Sequence, residues 1–241
     1  MSRLLKALSL ALALIALGVF AASCGSSSAQ LRVVQAISDS PVNLDIDLNG
    51  KSTFTNVGFE SIQPSTGYQK VSTGSDPIEV FNTGTTTDVI ASTNLNLGGG
   101  SQYTVVLQGY VTAGAGTANA PAAVLLTDNN AAPSSGNVEF RIINSSPASP
   151  SGSVDVYIVP PGTDITQVTP QVSGLAYGQG SGYQSLAAAT YELVVTPQGN
   201  TTRYVDQNYS LTAGQIRSFV LVDVSGGGAL SGLPLELSDL N

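Results

Sequence analysis

The chain has 241 residues, enough for one or two domains of ordinary size. Its apolar fraction of 42% can supply real cores. Charged residues make up only 10%, well below the roughly 25% usual for soluble proteins, so the composition is not the highly charged one of a disordered chain. The net charge of −8 opposes binding to nucleic acid, which needs a basic face against the phosphates. The complete lack of histidine removes Ser-His-Asp and Cys-His catalysis and the usual zinc and copper sites.

In chain order, Arg3 and Lys6 form a positive start, and an apolar run from Ala7 to Ala22 follows, broken only by Ser9 and Gly18. The run is shorter than a membrane-spanning helix requires. Small residues Ala21, Ala22 and Ser23 then lead into Cys24, the only cysteine. This is the three-part layout of a cleaved secretory signal over residues 1–23. The Ala-Ala-Ser-Cys run resembles a bacterial lipobox, with Ala21 where Leu is more usual. That resemblance implies diacylation of Cys24, which becomes the mature N-terminus. One acyl chain anchors only marginally, and several together hold firmly. Ordinary cleavage with Cys24 left as a free thiol is the alternative. Gly25, in place of an Asp, resembles the sorting signal for the outer membrane of diderm bacteria, on its periplasmic or surface face.

Residues 24–30 read as a lipidated tether, Gly25 to Gln30 being small and polar. Of the eight basic residues, Arg3 and Lys6 precede Cys24. Six remain against sixteen acids, a net charge of −10, which also argues against electrostatic docking to anionic lipid headgroups. With one cysteine no intramolecular disulfide can form, so folding rests on packed cores.

The rest of the chain repeats itself. Leu31-Arg32-Val33-Val34 is echoed by Phe140-Arg141-Ile142-Ile143, and Ser40-Pro41 by Ser146-Pro147. Leu44-Asp45-Ile46-Asp47-Leu48 matches Val154-Asp155-Val156-Tyr157-Ile158, and Gly67-Tyr68-Gln69 recurs as Gly182-Tyr183-Gln184. Leu97–Leu107 matches Leu211–Leu221, and the segment ending at Asp128 matches the one ending at Asp239. The order is kept throughout, and the small drift in spacing is what loop insertions produce. Two units follow, 31–128 and 137–241, joined by a polar linker at 129–136 that contains Pro and Gly.

Within each unit the apolar pattern has a period of two. Leu44, Ile46 and Leu48 alternate with Asp45 and Asp47. Tyr103, Val105 and Leu107 alternate with Thr104 and Val106, and Tyr191, Leu193 and Val195 with Glu192 and Val194. Such alternation predicts half-buried strands, and Gly, Pro or Asn punctuates each run. About seven short strands per unit predict an all-β fold of two tandem immunoglobulin-like β-sandwiches with Greek-key connections. A closed barrel is the second choice. The loops that differ between units, 113–122, 145–153 and 160–162, are rich in small residues and offer few charges or rings.

The Arg-Val-Val start, the Ser-Pro, the Asp155-Val156-Tyr157-Ile158 strand and the Gly-Tyr-Gln step followed by Ala189–Val195 resemble the bacterial domain-of-unknown-function family numbered four-three-nine-seven. The resemblance covers nearly all of the chain after Cys24. It implies secreted or lipid-anchored tandem repeats and no known reaction. A histidine commonly follows Arg-Val-Val in that family. Here the position holds Gln35, or Asn144 in the second unit, so no histidine-dependent role carries over.

Candidate chemistry is sparse. Asp45-Ile-Asp47-Leu-Asn49-Gly50 resembles the first half of a calcium loop, but its twelfth position is Asn56 and the second unit keeps only Asp155. Alternation explains the same spacing as strand and turn, so Asp45, Asp47 and Asn49 are weak calcium candidates and no metal is assigned. The two aspartates lie about 7 Å apart along one strand face, which defines no glycosidase cleft. Tyr68 and Tyr183 are expected to be structural, each fixing a corner by burying its ring and bonding its hydroxyl to backbone. Lys51 and Lys70 belong to no Ser-x-x-Lys arrangement. The sequons at Asn144, Asn200 and Asn208 read as unused in a bacterial lipoprotein.

The sequence therefore points to no catalytic residue and no cofactor. It predicts a non-enzymatic envelope lipoprotein that meets the membrane through its lipid and serves as a structural, adhesion or interaction module, with a protein or glycan partner. A carbohydrate or cell-wall binding module and a weak calcium-binding spacer are the alternatives.

Overall fold

A computed structural model describes residues 28–149 and 152–240. The expected signal segment, Cys24 and Gly25 lie outside the described residues. The first half comprises β1 (Ser28–Gln35), β2 (Leu44–Leu48), β3 (Lys51–Val57), β4 (Ile62–Gln63), β5 (Gln69–Ser72), β6 (Gly74–Asn82), β7 (Asp88–Leu97), β8 (Gln102–Gln108) and β9 (Ala122–Asp128). The second comprises β10 (Asn137–Asn144), β11 (Ser153–Val159), β12 (Val172–Ala176), β13 (Gln179–Gly180), β14 (Gln184–Ala187), β15 (Ala189–Pro197), β16 (Val205–Leu211), β17 (Ile216–Leu221) and β18 (Leu235–Leu240). Segment 129–136 between them carries no strand.

Each half is a two-sheet sandwich. In the first, one sheet runs β3-β2-β6-β7 and the other β4-β1-β8-β9, with β5 continuing the line of β4 along β1. In the second, the sheets are β12-β11-β15-β16 and β13-β10-β17-β18, with β14 beside β10. Pairing is antiparallel except where the first strand of each half meets its penultimate long strand: β1 runs parallel to β8, and β10 to β17. The all-β class and the paired sandwiches agree with the sequence expectation.

Two details of that expectation change. The tether was expected to extend to Gln30, but Ser28–Gln30 are already strand. Ser28, Ala29 and Gln30 pair with Ser72, Val71 and Lys70 of β5, and Ala29 is fully buried. The backbone of a small, polar segment still satisfies its donors and acceptors best by joining an available ladder. The strands β1, β8, β10 and β17 are also not half-buried. Leu31, Val33, Val105 and Leu107 face the first sandwich core. The alternate residues Val34, Ala36 and Val106 pack with Ile143, Val220, Val222 and Leu237 of the second half. A second core, with Phe140, Phe219 and Leu193 at its centre, fills the other sandwich. The four sheets therefore stack as four layers around three apolar seams, and the two inner sheets are buried on both faces. Near-continuous apolar runs such as Leu31–Val34 are what double burial requires.

Local geometry follows residue chemistry. Asn49 and Gly50, both left-handed (φ 53° and 66°), make the two-residue turn between β2 and β3, as Asn-Gly does in primed hairpin turns. Gly109 ends β8 at φ +104°, where a Cβ would stand 2.5 Å from the carbonyl oxygen of Ala120. Gly109→Ala is expected to cost at least about 3 kcal/mol, from backbone strain plus overpacking. Gly50→Ala, left-handed but with open space, is expected to cost about 1 kcal/mol. Urea titration of both variants checks the difference.

Candidate functional site

The most densely bonded polar cluster lies in the seam between the halves. Arg32 of β1 and Arg141 of β10 interrupt the apolar runs Leu31–Val34 and Phe140–Ile143, and their side chains are only 3% exposed. Both occupy the strand face turned toward the other half. Arg32 donates from Nε to Thr104 Oγ1 (2.8 Å), from Nη1 to the carbonyl of Ser238 (3.2 Å) and from Nη2 to the Asp239 carboxylate. Arg141 donates from Nε to Ser218 Oγ (2.7 Å), from Nη1 to the carbonyl of Thr127 (3.1 Å) and from Nη2 to the Asp128 carboxylate. Each arginine thus takes its hydroxyl from its own half and its carboxylate from the other, so the contact is self-complementary, like that of a two-fold dimer.

The carboxylates are held equally firmly. Asp128 accepts from Thr104 Oγ1 (2.6 Å) and from the Tyr68 hydroxyl (2.7 Å). Asp239 accepts from Ser218 Oγ (2.6 Å) and from the Tyr183 hydroxyl (2.9 Å). Arg32 also lies 3.4 Å from Asp128, which closes the four charges into one neutral group. Each tyrosine ring covers its arginine, with guanidinium-to-centroid distances of 4.9 Å at Tyr68 and 4.8 Å at Tyr183, a cation–π arrangement. Burial alone would lower the Arg32 pKa; Asp239 and Asp128 outweigh it, and the value is raised. Burial, and next the adjacent carboxylate, push both tyrosine hydroxyls well above their ordinary value.

The same seam has a second polar end. Asp223 is buried and accepts from the Tyr110 hydroxyl of the first half and from Ser146 Oγ of the second. Tyr110 rises to about 12, through burial and its bond to Asp223. Gly226–Gly228, all left-handed, fold against Tyr110: Gly226 N donates to the Ser38 carbonyl (2.8 Å) and Gly228 N to the Tyr110 hydroxyl (3.1 Å). A Cβ on Gly227 would stand 2.7 Å from that ring.

The residues singled out by sequence are placed as follows. Tyr68 and Tyr183 donate to side-chain carboxylates, Asp128 at the end of β9 and Asp239 within β18, and not to backbone as expected, because each buried carboxylate offers a charged acceptor beside the ring. Asp45 accepts from Asn56 N (2.8 Å), Gly84 N (3.0 Å) and Thr83 Oγ1 (3.1 Å). Asp155 does the same work with Gly174 N, Gly199 N and Ser173 Oγ. Asn56 and Gly174 are both left-handed, at places where the strand register shifts, so each aspartate clamps a bulge and the turn beside it. The backbone bonds of Asn56 and Gly84 hold the Asp45 pKa below its ordinary value. Asp155 is lowered too: burial would raise it, and the amides of Gly199 and Gly174 outweigh that effect.

Asp47 lies on β2 and Asn49 in the turn; among the described residues no group of three or more acids, histidines or cysteines could hold a metal. Gln35 bonds the Ile37 backbone. Asn144, fully buried, bonds the Leu175 carbonyl and Ser149. Gln35 and Asn144, at equivalent places in the two halves, thus both serve the local backbone.

Sequence reasoning missed the arginine–aspartate group, although Arg32, Arg141, Asp128 and Asp239 all sit inside the repeated segments. The one available signal was an arginine repeated at the same place in two near-continuous apolar runs, Leu31–Val34 and Phe140–Ile143; alternation alone would leave it facing solvent.

Fold and seam together define a tandem of β-sandwich repeats fused face to face. The profile of the family described as Domain of unknown function (DUF4397) matches residues 29–157 and 148–239, and the chain belongs to that family. Comparison with curated proteins found no match. Among solved structures, the Bacillus anthracis TIE protein aligns at TM-score 0.26 and 10% identity, over 81% of this chain and 34% of that one. This chain therefore spans about a third of that protein. A family 41 carbohydrate-binding module of streptococcal virulence factors aligns at TM-score 0.27 and 10% identity, over 85% and 97% of the two chains. The family 26 module of Eubacterium rectale Amy13K, solved with maltoheptaose, aligns at 0.28 and 9%, over 89% and 98%. At these scores none of them bears on what this chain binds.

Removing one member of a buried charge group strands its partner, at about 3–5 kcal/mol. Arg141→Met is expected to lose about that much, measured by urea unfolding, because Asp128 loses its closest cation. Replacing Arg32, Arg141, Asp128 and Asp239 together by apolar residues is expected to cost far less than the sum of the single losses.

Proposed function

We propose that the protein is a non-enzymatic, lipid-anchored component of the bacterial cell envelope, at the outer membrane, where it serves as a structural, adhesion or interaction module. The observation that carries this reading is how its ionisable groups are used. A general acid, base or nucleophile must be free to change its proton or partner during the reaction. Here the buried arginines and aspartates of the seam neutralise one another. Asp45 and Asp155 clamp backbone amides. Arg203 pairs with Glu192 and Asp206, and Arg217 with Glu236. Such spending suits a stiff carrier of loops, and loops on a rigid scaffold are where recognition is placed.

Anchoring follows from the lipobox-like run ending at Cys24, since several acyl chains give stable attachment. Cell fractionation of the wild type and of Cys24→Ser tests the proposal. The wild type is expected in the membrane fraction, with an acyl mass on the N-terminal peptide. Cys24→Ser is expected in the soluble fraction, with its fold unchanged. A wild-type protein that fractionates as soluble, without added acyl mass, would contradict it.

A further inference from the structure

The six basic residues after Cys24 are not used alike. Arg32 and Arg141 are buried in the seam, and Arg203 and Arg217 are paired with acids. Lys51 and Lys70 are exposed, and among the described residues neither belongs to an ion pair. They line one cleft of about 470 Å³, together with Ser28 and Ser72. The one acid lining this cleft, Asp76, is 6% exposed. Lys51 opens β3 after the β2–β3 turn, and Lys70 stands opposite Gln30 in the β5–β1 ladder, so two separate strands bring the only lysines after Cys24 to the place where β1 begins.

Three residues separate Ser28 from Cys24. Fully extended, that stretch spans at most about 14 Å, short enough to let the start of β1 approach the bilayer to within one Debye length, about 8 Å at physiological salt. From this placement we propose that Lys51 and Lys70 form a membrane-facing pole that engages the phosphates of anionic headgroups in the bilayer carrying the anchor. The inference rests on the lipid-anchor reading above. Net charge speaks against such docking, but its distribution reverses the conclusion at one end. An anionic surface repels the acidic remainder and attracts this pole, so the body stands on the bilayer in one orientation. Each lysine near such a surface contributes a factor of roughly five in occupancy.

The test uses the mature lipidated protein added to preformed vesicles of phosphatidylcholine, with or without phosphatidylglycerol. Lys51 and Lys70 are the only lysines after Cys24, so an amine-reactive reagent read peptide by peptide by mass spectrometry reports on the pole separately from the Cys24 α-amine. Both are expected to label several-fold more slowly on the anionic vesicles, with the protection lost at high salt. Lys51→Gln is expected to reduce the protection of Lys70 by up to roughly fivefold. Equal labelling on the two vesicle types, with Cys24 acylated, would overturn the pole and leave the anchor standing. Missing acyl mass on Cys24 would overturn both. Equal protection by inorganic phosphate in detergent would assign the cleft to a free anion and overturn the membrane as its occupant.

Discussion

A guanidinium or carboxylate removed from water costs several kcal/mol unless well-placed opposite charges and hydrogen bonds replace the lost solvent. In this protein, the carboxylates that receive Arg32 and Arg141 come from the opposite repeat. Neither half can bury its own inner sheet without the other, because each would leave an arginine facing its seam without its closest acid. The apolar residues beside them, Val34, Val106, Ile143 and Val220, favour contact at any angle. The charged group favours one angle, since its bonds form only when both Arg–Asp crossings are made together.

The rest of the architecture follows from that pairing. A stack of sheets in which the inner two are doubly buried needs strands that are apolar on both sides, and β1, β8, β10 and β17 supply them. The outer sheet of the first half keeps one solvated face, where Asp47 and Glu79 stand opposite each other across β2 and β6, whereas in the second half Ile165 covers Tyr157, Val159 and Val194 on the outer face of β11 and β15. At the far end of the seam, Asp223, Tyr110 and the Gly226–Gly228 loop add a contact without two-fold symmetry. Gly109 holds the place in the first half that Asp223 holds in the second, so the repeats diverged where one needed a tight turn and the other a buried acceptor.

Much of this was legible in the sequence. Alternation in Leu44–Leu48 marks a strand because it has one buried face; Tyr191–Val195 is also a strand, but Glu192 and Val194 are buried as well as Leu193 and Val195. The Asn49-Gly50 pair marks a hairpin because few other residues adopt two left-handed conformations in succession. The repeat is visible because both halves solve one packing problem. The second face of β1 was not legible from alternation, because only the partner half, more than a hundred residues away, turns Arg32 and Thr104 inward. The tether was misjudged for a related reason. Ser28-Ala29-Gln30 has little strand propensity, and its pairing with β5 is a tertiary event. Asp45 and Asp155 could be seen as a repeated pair, but the left-handed residues they clamp, Asn56 and Gly174, differ in type and do not align by eye.

The central claim is that the two repeats form one cooperative unit through their shared seam. Hydrogen exchange of the native protein across a denaturant series measures the opening free energy of each strand. Amides in β1 and β8 and those in β10 and β17 are expected to open with the same free energy and the same denaturant dependence. Loss of protection in one half while the other stays closed would contradict it.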